Sequence, residues 1–197
     1  EITIMINGNR LVQVNHFKYL GSVLTEDGKS AKEVNLRSAL ARAAFFRRQD
    51  ILMSHNIDLS LRKRLVKSLV WNLLLYGAET WTLARKDIQR LEAVEMWCWR
   101  KLLDVSWRDR VSNEEVLHRA QERRVLIQTI RERQKKWLGH IMRHDEGLML
   151  RVIEGRIHGK KKRGRPRKGF LDDVITQCGA TGYETMKRLA QDQGTWR

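Results

Sequence analysis

The sequence predicts a mainly α-helical chain with a small N-terminal β portion, an α+β order in which strands come first and helices follow. Three observations predict it. Alternation of apolar and polar residues between turn signals is confined to the first stretch, whereas from about Ala31 apolar residues recur at helical spacing. A single proline occurs in 197 residues, so little interrupts long helices. The chain is 42% hydrophobic, enough to bury a core.

Each element follows in order. Ile2, Ile4 and Ile6 alternate, Asn7-Gly8 is a turn signal, and Leu11, Val12 and Val14 resume the strand pattern. Phe17-Lys18-Tyr19-Leu20-Gly21 continues as an extended stretch, and Asp27-Gly28 marks the next turn. These strands are expected to belong to a larger sheet, because so few of them are marginal alone. A first helix runs from Ala31, with Val34, Ser38, Ala41 and Phe45 on one face, to a break at His55-Asn56. Leu61, Leu65, Leu69, Leu73 and Tyr76 repeat every four or three residues and predict the inner stripe of a second helix. Arg62, Lys63, Arg64 and Lys67 then cover its other faces, and Gly77 stops it. A third helix, from roughly Asp87 to Asp104, carries two apolar ridges: Ile88, Leu91, Val94, Cys98 and Leu102, then Met96, Trp99 and Leu103. Two ridges predict burial between neighbours. Ser112-Asn113-Glu114-Glu115 reads as a capping box for a short helix. A long helix spans about Arg123 to His144, with Ile127, Ile130, Trp137 and Ile141 inward and Arg123, Arg124, Arg131, Arg133, Lys135, Lys136 and Arg143 outward. A glycine-rich basic linker over 155–169 leads to two short helices near Leu171–Gln177 and Tyr183–Gln191.

Charge bounds the function. Lys and Arg total 39 against 23 acids, a net charge of +16, which attracts polyanions through counterion release. No run of about 18 apolar residues exists to span a bilayer, so no membrane is expected among the partners. Cys98 and Cys178 stand far apart, neither within a Cys-x-x-Cys pair, so zinc and a disulfide framework are disfavoured and an intracellular protein is expected. The chain opens at Glu1 without Met or a signal peptide, which reads as a piece of a longer protein.

Four constellations could carry chemistry. Arg156 to Lys168 holds eight basic residues and no acid, and within it Arg163-Gly164-Arg165-Pro166-Arg167 resembles an AT-hook core. General phosphate contact is favoured there over readout of an A·T minor groove. The tryptophans Trp71, Trp81, Trp97, Trp99, Trp107, Trp137 and Trp196 could stack on unpaired bases, but Trp71, Trp97, Trp99 and Trp137 lie in amphipathic helices and read as core. His140 and His144, with Asp145 following, have the spacing of metal ligands but no clear third ligand and cationic neighbours, so no metal is expected. Phe170-Leu171-Asp172-Asp173 looks like a polymerase aromatic-x-Asp-Asp but starts a helix, so its aspartates read as caps. No nucleophile–base arrangement or phosphate-cradling glycine loop is visible, and no catalytic residue is assigned.

Several blocks, in order, resemble the C-terminal part of non-LTR (LINE-type) retrotransposon reverse transcriptases. They are Phe17-Lys18-Tyr19-Leu20-Gly21-Ser22 with Asp27-Gly28, then Leu74-Leu75-Tyr76-Gly77-Ala78-Glu79-Thr80-Trp81. Arg133-Gln134-Lys135-Lys136-Trp137-Leu138-Gly139-His140-Ile141, Gly164-Arg165-Pro166-Arg167 and Ala190-Gln191-Asp192-Gln193-Gly194-Thr195-Trp196-Arg197 complete the set. The resemblance implies residual palm strands with a primer-grip region in 1–28, thumb helices in 29–83 and a helical extension in 84–154, followed by the basic linker and a short helical tail over 170–197. Phe17, Lys18, Tyr19, Leu20 and Gly21 would hold a primer end. Lys63, Arg64 and Lys67 in the thumb, and Arg131, Lys135, Arg163, Arg165 and Arg167 beyond it, would meet phosphates, which position a duplex without reading it. The implied partners are RNA and DNA (template–primer, element RNA, target DNA) and the palm, fingers and endonuclease parts of the same polyprotein, with a nuclear location. The family's catalytic aspartates are absent. The chain itself is therefore expected to need no cofactor, although the intact polymerase would use Mg2+, and no stand-alone polymerisation is expected. A stand-alone AT-hook-like DNA-binding module and an inert remnant of a truncated element are the other readings.

Overall fold

A computed structural model describes residues 3–144, 147–155 and 169–196. It is mainly α-helical with a small N-terminal β portion. The N-terminal strands form two separate antiparallel hairpins, β1 (Met5–Ile6) with β2 (Asn9–Arg10) and β3 (His16–Tyr19) with β4 (Ser22–Thr25). Asn7 and Gly8 both take positive φ in the first turn, the geometry that matches strand twist in a two-residue connection. The expected strand after that turn ends at Arg10. Among the described residues only Leu11 adds a bond, donating to the Ile4 carbonyl at 2.9 Å, and Val12 and Val14 lie exposed. A two-stranded ribbon with no layer against it has nothing to pay for its extension.

The second hairpin is latched to the helices. α1 (Ala31–Arg47) packs against β4 and buries Glu33 and Arg37. Glu33 accepts from the Val23 backbone at 2.7 Å and from Arg37 Nε at 2.6 Å, while Arg37 Nη2 donates to the Gly21 carbonyl at 2.6 Å. Tyr76 donates to the Leu20 carbonyl at 2.7 Å, and the Arg37 guanidinium lies 4.3 Å from the Tyr76 ring centre. The Leu20-Gly21 turn, with φ of 46° and 84°, is thus fixed from two helical segments.

Val34, Ser38, Ala41 and Phe45 are buried along α1 as expected, but the helix stops at Arg47, before His55-Asn56, and a short α2 (Gln49–Leu52) follows. The next helix corrects the sequence reading. It comprises α3 (Leu59–Leu65), a π-helical turn over Val66–Val70, and α4 (Trp71–Leu74). Its buried side chains are Arg62, Val66, Val70, Trp71 and Leu74, whereas Leu61 and Leu73 of the expected inner stripe are exposed, as is Tyr76 beyond it. Two physical reasons account for this. Positions four apart drift by roughly 40° per step around an α-helix, so a long four-residue stripe winds off any one face. The π turn then adds a residue to the winding and rotates everything after it. Arg62, expected on the surface, donates to the carbonyls of Ile57 at 3.0 Å and Leu102 at 3.1 Å, with Leu52 at 3.4 Å. It thereby satisfies carbonyls that the ends of two helices leave open.

α5 (Arg85–Leu102) buries most of both ridges, including Leu91, Val94, Cys98, Leu102, Met96 and Trp99, with Ile88 and Leu103 half-buried. Burial pushes the Cys98 thiol up to about 12, which leaves it protonated and unreactive. At α6 (Asn113–Ala120) the Ser112 hydroxyl accepts from the Glu115 backbone at 3.2 Å, but the Glu115 carboxylate pairs with Arg119 at 2.7 Å rather than closing the expected box. α7 (Leu126–Arg143) starts later than the charge pattern indicated, because its cap is supplied from elsewhere. Glu95 of α5, 1% exposed, accepts from the Val125 and Leu126 backbones at 2.9 and 3.2 Å. Burial raises the Glu95 carboxyl above the usual carboxylate range, against those two bonds and the nearby Arg124.

α7 has 18 residues, about 27 Å of helix, and joins two cores. Leu126 and Ile130 belong to the core built on α1, α4, α5 and α6. Leu138, Ile141 and Met142 belong to a second core with α8 (Leu148–Ile153), α9 (Phe170–Gln177), α10 (Tyr183–Gln191) and α11 (Gln193–Trp196). Asp172 caps α9 by accepting from Gly169 at 2.7 Å, as the sequence predicted. Trp71 and Trp99 are buried as expected, and the half-buried Trp97 and Trp137 pack edge-on against Phe45 and Phe170 at 5.2 and 5.8 Å.

Candidate nucleic-acid interface

The second core owes its shape to one close approach. The Trp196 indole lies against Gly139 of α7 so tightly that a Cβ there would come within 2.2 Å of Nε1, and that nitrogen donates to the Lys135 carbonyl at 2.9 Å. On the preceding turn Gln134, buried, donates to the carbonyls of Ala78 at 3.1 Å and Trp81 at 2.8 Å. The sequence blocks around Ala78–Trp81, Arg133–Ile141 and Gln193–Trp196, which lie far apart in the chain, therefore meet on α7.

Where they meet they leave an open cleft of about 860 Å³. Arg133, Lys135, Lys136, His140 and Arg143 line it, against only two carboxylates, Glu79 and Glu132; Trp137 and Trp196 form its apolar walls. Arg133 stands 3.7 Å from Glu79, and Arg143 donates to the Ala190 carbonyl at 2.8 Å, so both arms are held while keeping their charge. Lys136 and His140 are exposed, and Lys135 lies 5.2 Å from the Trp196 ring centre. The surplus of positive charge in a concave, partly apolar surface concentrates field lines and favours an extended anion. The rings of His140 and His144 lie 4.5 Å apart, and among the described residues no three His, Cys, Asp or Glu side chains are grouped to hold a metal; Asp145 lies outside them.

The residues singled out from sequence fall in four places. Phe17, Lys18, Tyr19, Leu20 and Gly21 are brought together on one exposed hairpin, with Phe17 and Tyr19 each 57% exposed. Lys63 and Lys67 are tied to the end of α6 and the segment after it: Lys63 donates to the Ala120 carbonyl at 2.8 Å, and the partly exposed Lys67 pairs with Glu122 at 2.8 Å. Arg64, between them, is exposed. Arg131 is exposed on α7, one turn before Lys135. Arg163, Arg165 and Arg167, with the whole basic run from Arg156 to Lys168, lie outside the described residues. Sequence reasoning counted Arg133, Lys136 and Arg143 among outward cations without singling them out. Their convergence depends on where the last helix docks, which no local pattern signals. It also missed the Glu33–Arg37–Tyr76 latch, of which only the i,i+4 spacing of Glu33 and Arg37 was visible.

An uncharacterised transposon-derived protein of Caenorhabditis elegans is 27% identical over 200 residues, covering 95% of this chain and 70% of the relative. No family model and no solved structure matches the chain. The similarity covers nearly the whole chain, and it points to a transposable-element origin for it.

Proposed function

We propose that this chain is the C-terminal, nucleic-acid-gripping part of a non-LTR retrotransposon reverse transcriptase. The observation that carries the proposal is the cleft along α7, where five basic side chains converge against two acids. Such a surface neutralises phosphates without reading bases, as a polymerase that must accept every sequence requires. The ordered sequence blocks and the transposon-derived relative support the same reading. In it, the latched Phe17–Gly21 hairpin is the primer grip, a rigid exposed turn able to lie along a strand end. Arg64, Arg131 and the cleft cations are the phosphate contacts, while Lys63 and Lys67 hold the scaffold. The partners are template–primer, element RNA or target DNA, with the palm, fingers and endonuclease of the parent polyprotein, and the place of action is the nucleus. In this reading the Mg2+ of the parent polymerase would be held by the aspartates of its palm, and no catalytic step is assigned to this chain.

A titration at several salt concentrations tests this, comparing an RNA–DNA hybrid with A·T-rich and G·C-rich duplexes. Similar affinities and a steep decline with salt are expected. A strong A·T preference abolished by Arg165→Ala would replace the proposal with a minor-groove DNA-binding module. Absence of salt-sensitive binding would leave an inert remnant.

A further inference from the structure

Six of the seven tryptophans are buried or packed against other rings or helices; Trp107 is 81% exposed. A tryptophan left in water forgoes the burial of a large apolar ring, so its position calls for a reason. The loop that carries it is not loose. Val105 and Val111 pack on the core at either side. The Val105 backbone donates to the Arg100 carbonyl at 2.8 Å, and the Arg100 side chain donates to the Val111 carbonyl at 2.7 Å and to Asn113 at 3.0 Å. Within the loop, Ser106 and Asp109 cap each other's ends of a single 3-10 turn, Ser106 N to Asp109 at 2.6 Å and Arg108 N to the Ser106 hydroxyl at 3.3 Å. Asp104 and Arg110, at φ of 53° and 52°, bend the chain into and out of that turn. The anchored turn thus holds the indole out of the core. The Arg108 guanidinium lies 5.6 Å from the ring centre, and Arg110, three residues along from Trp107, is exposed.

We propose that Trp107 is a stacking platform for an unpaired base of single-stranded nucleic acid, with Arg108 and Arg110 taking the adjoining phosphates. A flat aromatic surface beside two guanidinium groups matches the alternation of base and phosphate along a single strand, and base–aromatic stacking tolerates any sequence. A paired base in a duplex does not offer its face, so the site selects unpaired strands. The preformed loop loses little freedom on binding. The inference deepens the nucleic-acid reading and rests on it, but it uses a surface apart from the α7 cleft.

The test compares a single-stranded oligonucleotide with a duplex of the same length, binding the full chain, Trp107→Ala and Trp107→Phe. Because stacking contributes about 1–3 kcal/mol per base, Trp107→Ala should weaken single-strand binding about tenfold or more and leave duplex binding within about twofold. Trp107→Phe should retain most of the affinity, and a 5-iodouracil strand should cross-link at Trp107. Equal losses on single strand and duplex, or none on either, would overturn the inference while leaving the cleft reading intact. Failure of the unaltered chain to bind any nucleic acid would overturn both.

Discussion

Gly139 and Trp196 decide how the chain's last helix is seated. An alanine at a helical glycine ordinarily adds about 1 kcal/mol through propensity. At Gly139 the added carbon would sit 2.2 Å from Trp196 Nε1, so the indole must move and its bond to the Lys135 carbonyl must lengthen. The clash should outweigh the propensity, and Gly139→Ala should lower stability by about 1–3 kcal/mol in thermal or denaturant unfolding. A rise in Tm would show that the terminal helix docks loosely. Glu95 gives a second test through pH. Its folded carboxyl is raised, mainly by burial, so its contribution is fully present below the ordinary carboxylate value and is lost as pH rises through the elevated one. Glu95→Gln keeps an oxygen to accept from Val125 and Leu126 and removes the ionisation. The stability of this variant relative to the unaltered chain should therefore climb as pH rises above the ordinary carboxylate value of about 4.5. A flat difference across that range would mean the buried carboxylate is already fully compensated.

At the scale of elements, α7 and the α3–α4 helix both looked like basic amphipathic helices, yet they use their cations differently. On α7, Arg131 and Lys136 are exposed, Lys136 in the cleft; on α3, Lys63 is bound to the end of α6. Replacing Arg131 and Lys136 together by alanine should weaken hybrid and duplex alike and make the salt dependence shallower by about two phosphate contacts, with little change in Tm. Lys63→Ala should do the reverse, lowering Tm by leaving the Ala120 carbonyl unpaired while the salt dependence stays as it was. If both variants changed salt dependence equally, the division of roles between the two helices would be wrong. The π turn at Val66–Val70 follows Lys63 and acts on the segment after it, setting which face of Trp71–Leu74 turns to the core.

For the whole molecule, the helices form two cores sharing α7, and the first hairpin stands outside both. Ile4, Met5, Ile6 and Val12 are 53%, 57%, 53% and 84% exposed, beside unpaired strand edges. Exposed apolar edges invite pairing with another copy. The chain should self-associate as its concentration rises, measured by sedimentation or light scattering. Val12→Lys should reduce that association without lowering Tm, because the residue touches neither core. Clean monomeric behaviour at high concentration would instead show that the exposed hairpin is tolerated as it stands.

The sequence by itself determined the class and most of the core. Periodicity located α1, α5, α7 and the two longer terminal helices, and it placed Val34, Phe45, Leu91, Val94 and Ile130 inside, because burying an apolar ridge is a local property of a 3.6-residue repeat. Asp172 and Ser112 were legible as caps because capping acts within one turn. What needed three dimensions were contacts between segments far apart in the chain. Arg62 closes the end of a helix 40 residues away, Glu95 begins one 31 residues away, and Trp196 sits on a glycine in another block. Charge count raised the expectation of an anionic partner, but Lys63 and Arg131 are alike in sequence. Only the fold, by supplying one with a carbonyl and leaving the other in water, made the first a strut and the second a candidate contact.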